Sequence, residues 1–274
     1  MFRFLFAFVI AYIGLVFVLS FKQRSFMYYP MTAERPDISQ APGMSWVEVT
    51  TKDGLNLRSW FSLPEEDMPT LVFFHGNGHN ISVRLPKVAP FMQEGYGVLL
   101  AEYRGYGGNP GTPSEAGFYK DARAQIDWLF DEHGIEGDDI ILYGESIGSG
   151  VAVQMATEHK AKALVLDVPF SSALDVAKFK LFFVPFISNI LKDKYLSHEK
   201  IGRIHIPVFI GVGGRDMVIP PRFGKKLFSS ANEPKALNVY NKSGHMGLHQ
   251  YGFAQDAIAF INAIKPDLPS DSDL

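Results

Sequence analysis

The fold is decided by one stretch of the chain, Ile140-Ile141-Leu142-Tyr143-Gly144-Glu145-Ser146-Ile147-Gly148-Ser149-Gly150-Val151-Ala152-Val153. A short apolar, β-favouring run precedes Ser146, and a run of small residues that can continue as a helix follows it. Gly144 and Gly148 stand two positions before and after the serine, where a tight turn leaves no room for side chains. This strand–turn–helix context is what the G-x-S-x-G nucleophile elbow requires, so Ser146 is the candidate nucleophile. The alternative is a chance match to a short motif.

A serine hydroxyl is a weak nucleophile, so it needs a base, and the base needs an orienting acid. Asp216 follows the apolar run 208–212, and His245 follows the apolar run 237–240. Each therefore lies on a loop leaving the carboxyl end of a predicted strand, where open α/β sheets bind their ligands. The order Ser, Asp, His along the chain is that of α/β-hydrolase triads. The sequence predicts a catalytic triad of Ser146, Asp216 and His245.

Other residues compete for these roles. Asp167 ends another predicted strand and is an alternative acid, but only Asp216 has a glycine-rich turn before it and Val-Ile-Pro after it. His245 and His249 have the i, i+4 spacing of a zinc pair. The motif's Glu, a third ligand and any Cys are missing from the sequence, so no metal site and no cofactor are expected. His249 is interpreted as a surface or supporting histidine.

Acyl transfer also needs two N–H donors for the developing oxyanion. The first should be the backbone N–H of Ile147, directly after the nucleophile. The second should come from the loop after the strand 70–74, and the backbone N–H of Asn77 is the candidate. His75 and Gly76 would shape that turn. An ordinary Gly/Asn loop is the alternative.

Four segments together resemble one branch of the α/β-hydrolases: 75–80, 103–115, 144–148 and 214–216. The branch contains the membrane-anchored α/β-hydrolase domain-containing proteins 12, 13 and 17 and their bacterial relatives. The resemblance covers about residues 45–265 and implies a serine hydrolase acting on acyl esters or thioesters, often of lipids. The chain departs from it at Gly78-His79, where the family more often has Ala-Gly.

The predicted fold is an α/β-hydrolase of about eight mostly parallel strands, with helices on both faces and a small cap. The domain would occupy 45–265, with Asp53-Gly54 forming a hairpin at its start, and residues 266–274 would be a disordered tail. The net charge is −3 and no basic stripe occurs, which excludes nucleic acid as an expected partner. Without Cys the chain has no disulfides, and nothing indicates its oligomeric state.

Residues 1–24 predict a membrane anchor. No charged residue occurs from Phe4 to Phe21, and this run of eighteen mostly apolar residues reaches the threshold for a membrane-spanning helix. A cleaved signal peptide and a buried helix are the alternatives. Residues 25–44 would be a linker, with Phe26, Tyr28 and Tyr29 in an interfacial aromatic belt. The expected location is a membrane, with the side that carries the catalytic domain undetermined.

About forty residues separate the strand ending at Asp167 from the strand at Val208, more than a simple crossover helix needs. We interpret 170–203 as a cap whose phenylalanines supply an acyl pocket. The candidates are Phe182, Phe183 and Phe186, which have lysines around them and could also contact a bilayer. A crossover helix with a buried apolar side is the alternative.

The sequence thus predicts a serine hydrolase that cleaves esters or thioesters of acyl chains or lipids through an acyl-enzyme. An acyltransferase with the same triad is a second possibility. A membrane-tethered binding protein that keeps the fold without catalysis is a third. A peptidase is disfavoured because no large added domain is present to filter peptides.

Overall fold

The computed structural model of the protein describes residues 2–30 and 35–264. Eight strands form one sheet, and they are β1 Ser45–Thr50, β2 Asn56–Ser62, β3 Thr70–Phe74, β4 Gly97–Ala101, β5 Ile140–Glu145, β6 Ala163–Asp167, β7 Val208–Gly213 and β8 Lys235–Tyr240. Their order across the sheet is β1-β2-β4-β3-β5-β6-β7-β8. β2 pairs antiparallel with β1 and β4, and all other pairs are parallel.

The burial of the strands explains this arrangement. The five strands from β3 to β7 are buried at every position, as parallel strands covered on both faces must be. β1 and β2 form the hairpin predicted from Asp53-Gly54, where Gly54 has a φ of +84° that favours glycine. The eight-stranded, mostly parallel sheet expected from the sequence is confirmed.

Helices cover both faces of the sheet. The helices are α1 Phe2–Met27, α2 Leu85–Gln93, α3 Glu115–His133, α4 Ile147–Ala156, α5 Ala173–Lys180, α6 Ile187–Ile190, α7 Ser197–Lys200, α8 Pro221–Ser230 and α9 Phe253–Asn262. α3, α4 and α8 contribute to one apolar core, and α2 and α9 to the other. Ser114 caps α3 by accepting from the Gly117 N–H at 3.0 Å. A 3₁₀ turn at Ile81–Arg84 directly precedes α2.

The N-terminal helix is longer than predicted. α1 ends at Met27 and not at residue 24, and its stretch Val9–Met27 is long and apolar enough to cross a membrane. Tyr28, which the sequence placed in an interfacial belt, is 4% exposed and belongs to the core of the domain. Its hydroxyl lies 3.0 Å from that of Tyr195, which explains the burial. The predicted tail at 266–274 lies outside the described residues.

The connection between β6 and β7 contains the three short helices α5, α6 and α7 and a 3₁₀ turn at Ile201–Arg203. Val184 and Leu191 are buried within this connection. The phenylalanines predicted to form an acyl pocket do not line an enclosed pocket here. Phe182 is 84% exposed, Phe186 79% and Phe183 46%. These rings lie on the outside of the segment, since the inward positions are taken by Val184 and Leu191.

Candidate active site

Ser146 lies on a strained turn between β5 and α4. Its φ of +52° is a conformation that residues with a side chain rarely adopt. A Cβ at Gly144 would come within 2.5 Å of the Ser149 Cα, and one at Gly148 within 2.0 Å of the Phe74 carbonyl oxygen. The two glycines therefore let α4 pack closely on β5 and on the end of β3. This packing holds the serine above the carboxyl edge of the sheet.

His245 joins Ser146 to Asp216. Its Nε2 lies 3.1 Å from the Ser146 Oγ, and its Nδ1 lies 2.7 Å from the Asp216 Oδ2. A carboxylate accepts hydrogen bonds and does not donate them, so Nδ1 carries the proton of a neutral imidazole. Nε2 is then an acceptor facing the serine hydroxyl. The three residues from three separate loops meet in the order that proton transfer from the serine requires.

The Asp216 carboxylate is held in place from its other side. Its Oδ1 accepts the backbone N–H groups of Val218 and Ile219, both at 2.8 Å. The side chain of Asp216 is 1% exposed and that of His245 is 12% exposed, while Ser146 is half-buried. The acid is therefore fixed and shielded, and the serine is the member of the group that a substrate can reach.

The loop after β3 is bound on three sides. His75 is fully buried with its Nε2 2.8 Å from the Glu102 Oε1. The Gly76 N–H donates to the Glu145 Oε2 at 3.1 Å, so that N–H is occupied. Asn77 donates its side-chain amide to the Met27 carbonyl at 2.8 Å and accepts at its own carbonyl from the Tyr106 hydroxyl at 2.8 Å.

The contact between this loop and the segment that follows α1 was not predicted. Tyr29 forms a bridge with Gly78, and its N–H donates to the Asn77 carbonyl at 3.1 Å. His79, at the departure from the family pattern, has a φ of +62°. Glycine adopts this conformation at no steric cost, which accounts for the family's more frequent Gly at this position. Ile147 begins α4, so its N–H has no acceptor within the helix.

A buried charge cluster lies beneath the elbow. Glu145, the residue before the nucleophile, pairs with the Arg84 Nε at 2.6 Å and the Lys87 Nζ at 2.9 Å. Lys87 also pairs with Asp167 at 2.6 Å, and Arg84 donates to the Gly78 carbonyl at 2.9 Å. Two cations and two carboxylates thus join the elbow to α2 and to the loop after β3.

These contacts keep the carboxylates charged although they are buried. Burial alone would raise the pKa of Glu145, but the charges of Lys87 and Arg84 outweigh it and lower that pKa to about 2. Burial would likewise raise the pKa of Asp167, and Lys87 together with His249 brings it well below its usual value. The same carboxylates raise the pKa of Lys87 against its own burial. The cluster is therefore an ionised one at neutral pH.

Asp167, the alternative acid, contacts a different histidine. The His249 Nε2 lies 3.2 Å from the Asp167 Oδ2 and 2.9 Å from the Tyr143 hydroxyl. His245 and His249 thus face separate carboxylates. His249 is a partly buried, hydrogen-bonded residue, and therefore a supporting histidine and not a surface one, since its side chain is 13% exposed.

Sequence reasoning missed Glu145, Arg84, Lys87 and the His249–Asp167 contact as parts of this region. A signal was present in the chain. Arg84 and Lys87 stand three residues apart in an otherwise apolar helix start, and Glu145 and Asp167 each end a buried strand. Charged residues in such places are rarely buried unless they are paired.

The sheet order, the elbow and the loops at the carboxyl edge define an α/β-hydrolase. The comparisons agree, and the chain belongs to the α/β-hydrolase family. The model of the α/β-hydrolase fold matches residues 69–191. The α/β-hydrolase domain-containing protein WAV2 of Arabidopsis thaliana is 31% identical over 238 residues, which is 80% of this chain and 76% of WAV2.

Other relatives extend the comparison. An uncharacterized protein of Mycobacterium tuberculosis is 35% identical over 236 residues, covering 85% of this chain and 83% of the relative. Among solved structures, the esterase Pf2001 of Pyrococcus furiosus superposes with a TM-score of 0.69 at 21% identity. That match covers 86% of this chain and 97% of the esterase, and at such low identity it shows the shared fold.

Proposed function

We propose that the protein is a serine hydrolase that cleaves carboxylic esters or thioesters of acyl chains. One observation supports the proposal above the others: Ser146 and Asp216 contact opposite nitrogens of the His245 imidazole, at 3.1 and 2.7 Å. A proton can then leave the serine on one side while the carboxylate stabilises the charged ring from the other. The esterase name of a structural neighbour is in keeping with this chemistry.

The reaction has two halves. The Ser146 Oγ attacks the carbonyl carbon while His245 takes the hydroxyl proton, and the C–O or C–S bond then breaks as His245 protonates the leaving alcohol or thiol. Water attacks the acyl-enzyme with His245 again as base, which releases the acid and frees the serine. The backbone N–H groups of Ile147 and Asn77 are the proposed donors to the oxyanion of each tetrahedral intermediate.

The test is hydrolysis of p-nitrophenyl esters and of acyl thioesters of increasing chain length by purified full-length protein. Ser146→Ala should abolish turnover, whereas Ser229→Ala, which removes an exposed hydroxyl on α8, should leave it unchanged. A folded wild type that hydrolyses none of these substrates would contradict the proposal and favour a binding protein. Adding an alcohol distinguishes a hydrolase from an acyltransferase, because a transferase would form a new ester with the alcohol in place of the free acid.

A further inference from the structure

One face of α1 lies against the protein along most of the helix. The side chains of Tyr12, Val16, Leu19, Gln23 and Met27 are partly buried, and their spacing of three or four residues follows a single helical face. The side chains described before Tyr12 are exposed, as are Phe17 and Phe21 on the other faces. The helix therefore has a free N-terminal part and a longer part that packs on the domain with one face.

That face contacts residues 181–194, a part of the predicted cap (170–203) that we call the cap segment. Gln23 donates to the Ile190 carbonyl at 3.0 Å and accepts from the Lys192 N–H at 2.7 Å. Arg24 forms a two-bond ion pair with Asp193 at 2.7 and 3.0 Å. Further towards the N-terminus, the Tyr12 hydroxyl donates to the Phe183 carbonyl. The cap segment thus runs beside α1 from Tyr12 to Arg24.

This contact limits how α1 can enter a membrane. At 1.5 Å per residue, the distance from Tyr12 to Arg24 is about 18 Å along the helix axis. The residues from Tyr12 to Arg24 all lie within Val9–Met27, the stretch of α1 that is long and apolar enough to cross a membrane. A helix inserted along its apolar stretch, Val9–Met27, therefore carries the neighbouring cap segment into the membrane with it.

The polarity of the cap segment changes along its length as insertion beside α1 requires, with apolar side chains at the inner end and charged ones at the membrane surface. Phe182 and Phe186, at the end near Tyr12, are 84% and 79% exposed. Lys192 and Lys194 lie at the end near Arg24, where anionic headgroups would meet them. Lys178 and Lys180 stand before the aromatic end, and their long stems let the ammonium groups reach the interface. Large exposed aromatic side chains on such a surface mark a contact site.

We propose that the aromatic end of the cap segment is inserted into the bilayer beside α1, with a lipid membrane as the partner of this surface. The helix and the cap form a single membrane-binding unit, held together by the contacts of Tyr12, Gln23 and Arg24. The proposal does not depend on catalysis, because every residue that carries it lies outside the Ser146 site.

The test uses the absence of native cysteine, which allows single environment-sensitive labels in the full-length chain. Phe182→Cys, Lys192→Cys and Phe130→Cys are each labelled with a nitrobenzoxadiazole dye and mixed with phosphatidylcholine–phosphatidylglycerol vesicles. Phe130 is the matched control because it is 51% exposed in the last turn of α3, whereas it is the first turn of α3 that contacts Tyr28, through Phe118. Spin labels are placed on the lipid headgroup or deep in the acyl chain. All three variants carry Ser146→Ala, so that hydrolysis of the lipid does not occur.

The expected result is an ordered set of depths. The dye at position 182 shifts to the blue and is quenched severalfold more by the deep spin label than the dye at 130. The dye at 192 is quenched most by the headgroup label. A dye at 182 that remains water-like, while one placed by Phe17→Cys on α1 is quenched, would overturn the proposal.

Two other outcomes also count against it. No quenching at position 17 or 182 would show that neither element enters the bilayer. A blue shift at 182 that rises with protein concentration and needs no vesicles would identify a second copy of the chain as the partner.

Phe186→Cys repeats the measurement at the neighbouring exposed ring in case the change at 182 disturbs folding, which melting by circular dichroism would reveal.

Discussion

His245 and His249 stand four residues apart in the chain after β8, and each pairs with a different carboxylate for a different purpose. In the first pair, Asp216 and the Ser146 hydroxyl contact opposite nitrogens of His245. In the second, Asp167 and the Tyr143 hydroxyl both contact the same nitrogen of His249, at 3.2 and 2.9 Å. A ring that uses one nitrogen for both partners cannot pass a proton between them. The comparison shows that a His–Asp contact alone does not define an active site.

The partners of the two carboxylates differ as well. Asp216 is held by two neutral backbone N–H groups, whereas Asp167 is held by the Lys87 cation at 2.6 Å. The charge of Asp216 is thus left to stabilise an imidazolium, and that of Asp167 is already neutralised. Ser146 is half-buried, while Tyr143 is fully buried. We therefore expect the first pair to serve catalysis and the second to serve stability.

The largest expected effect separates the two histidines. His245→Ala should lower kcat by about 10⁴- to 10⁶-fold, because the serine loses its base. His249→Ala should lower it less than about tenfold in molecules that remain folded, since a structural hydrogen bond is worth about 0.5–1.5 kcal/mol. Ester hydrolysis by each purified variant, corrected for its folded fraction, measures both. Equal losses would remove the distinction between the pairs.

The two aspartates give the next effect. Asp216→Asn should lower kcat by about 10⁴-fold, because the amide oxygen must face the N–H groups of Val218 and Ile219. Its NH₂ group then donates to His245 and enforces the wrong tautomer. The melting temperature should change little. Asp167→Asn should instead cost about 3–5 kcal/mol of unfolding free energy by leaving Lys87 under-neutralised. Urea unfolding and ester-hydrolysis kinetics on both variants measure these effects. A large stability loss in Asp216→Asn, or a loss of kcat of about 10⁴-fold in folded Asp167→Asn, would contradict the assignment.

Acid should weaken the buried charge cluster around Glu145 and Asp167. The pKa of Glu145 is lowered to about 2 from 4.5, and that of Asp167 also lies below its usual value. Their contribution to stability is complete above the unfolded pKa values near pH 4 and is lost as the pH falls towards 2, on the order of 3 kcal/mol for Glu145. Glu145→Gln should flatten the pH dependence of unfolding in this window, and the exposed Glu48→Gln should not. An unchanged slope in Glu145→Gln would contradict the ionised cluster.

The smallest expected effect concerns Asn77. If its backbone N–H is the oxyanion donor, Asn77→Ala keeps that donor and loses only the side-chain contact with the Met27 carbonyl. Turnover should then stay within about threefold, with a cost of about 0.5–1.5 kcal/mol in unfolding free energy. A fall of about 10²- to 10³-fold would indicate that the side chain itself binds the oxyanion.

The sequence predicts the sheet because its signals are local. Buried apolar runs, Asp53-Gly54 and the glycines around Ser146 each act within a few residues, and the order of Ser146, Asp216 and His245 follows from the strands that precede them. The charge cluster could not be predicted in this way, because Arg84 and Glu145 are far apart in the chain and meet only through the β3–β5 pairing. The contacts of Tyr28 with Tyr195 and of Arg24 with Asp193 are hidden for the same reason. The pattern of apolar residues could not show which phenylalanines of the cap face outward.

The most direct test of the central claim is covalent labelling with a fluorophosphonate, followed by intact-mass measurement and peptide mapping. We expect one adduct per molecule, on the peptide that contains Ser146. The adduct should be lost in Ser146→Ala and His245→Ala and retained in folded His249→Ala. An adduct on another residue, or no adduct on folded wild-type protein, would contradict the assignment of Ser146, His245 and Asp216 as the catalytic unit.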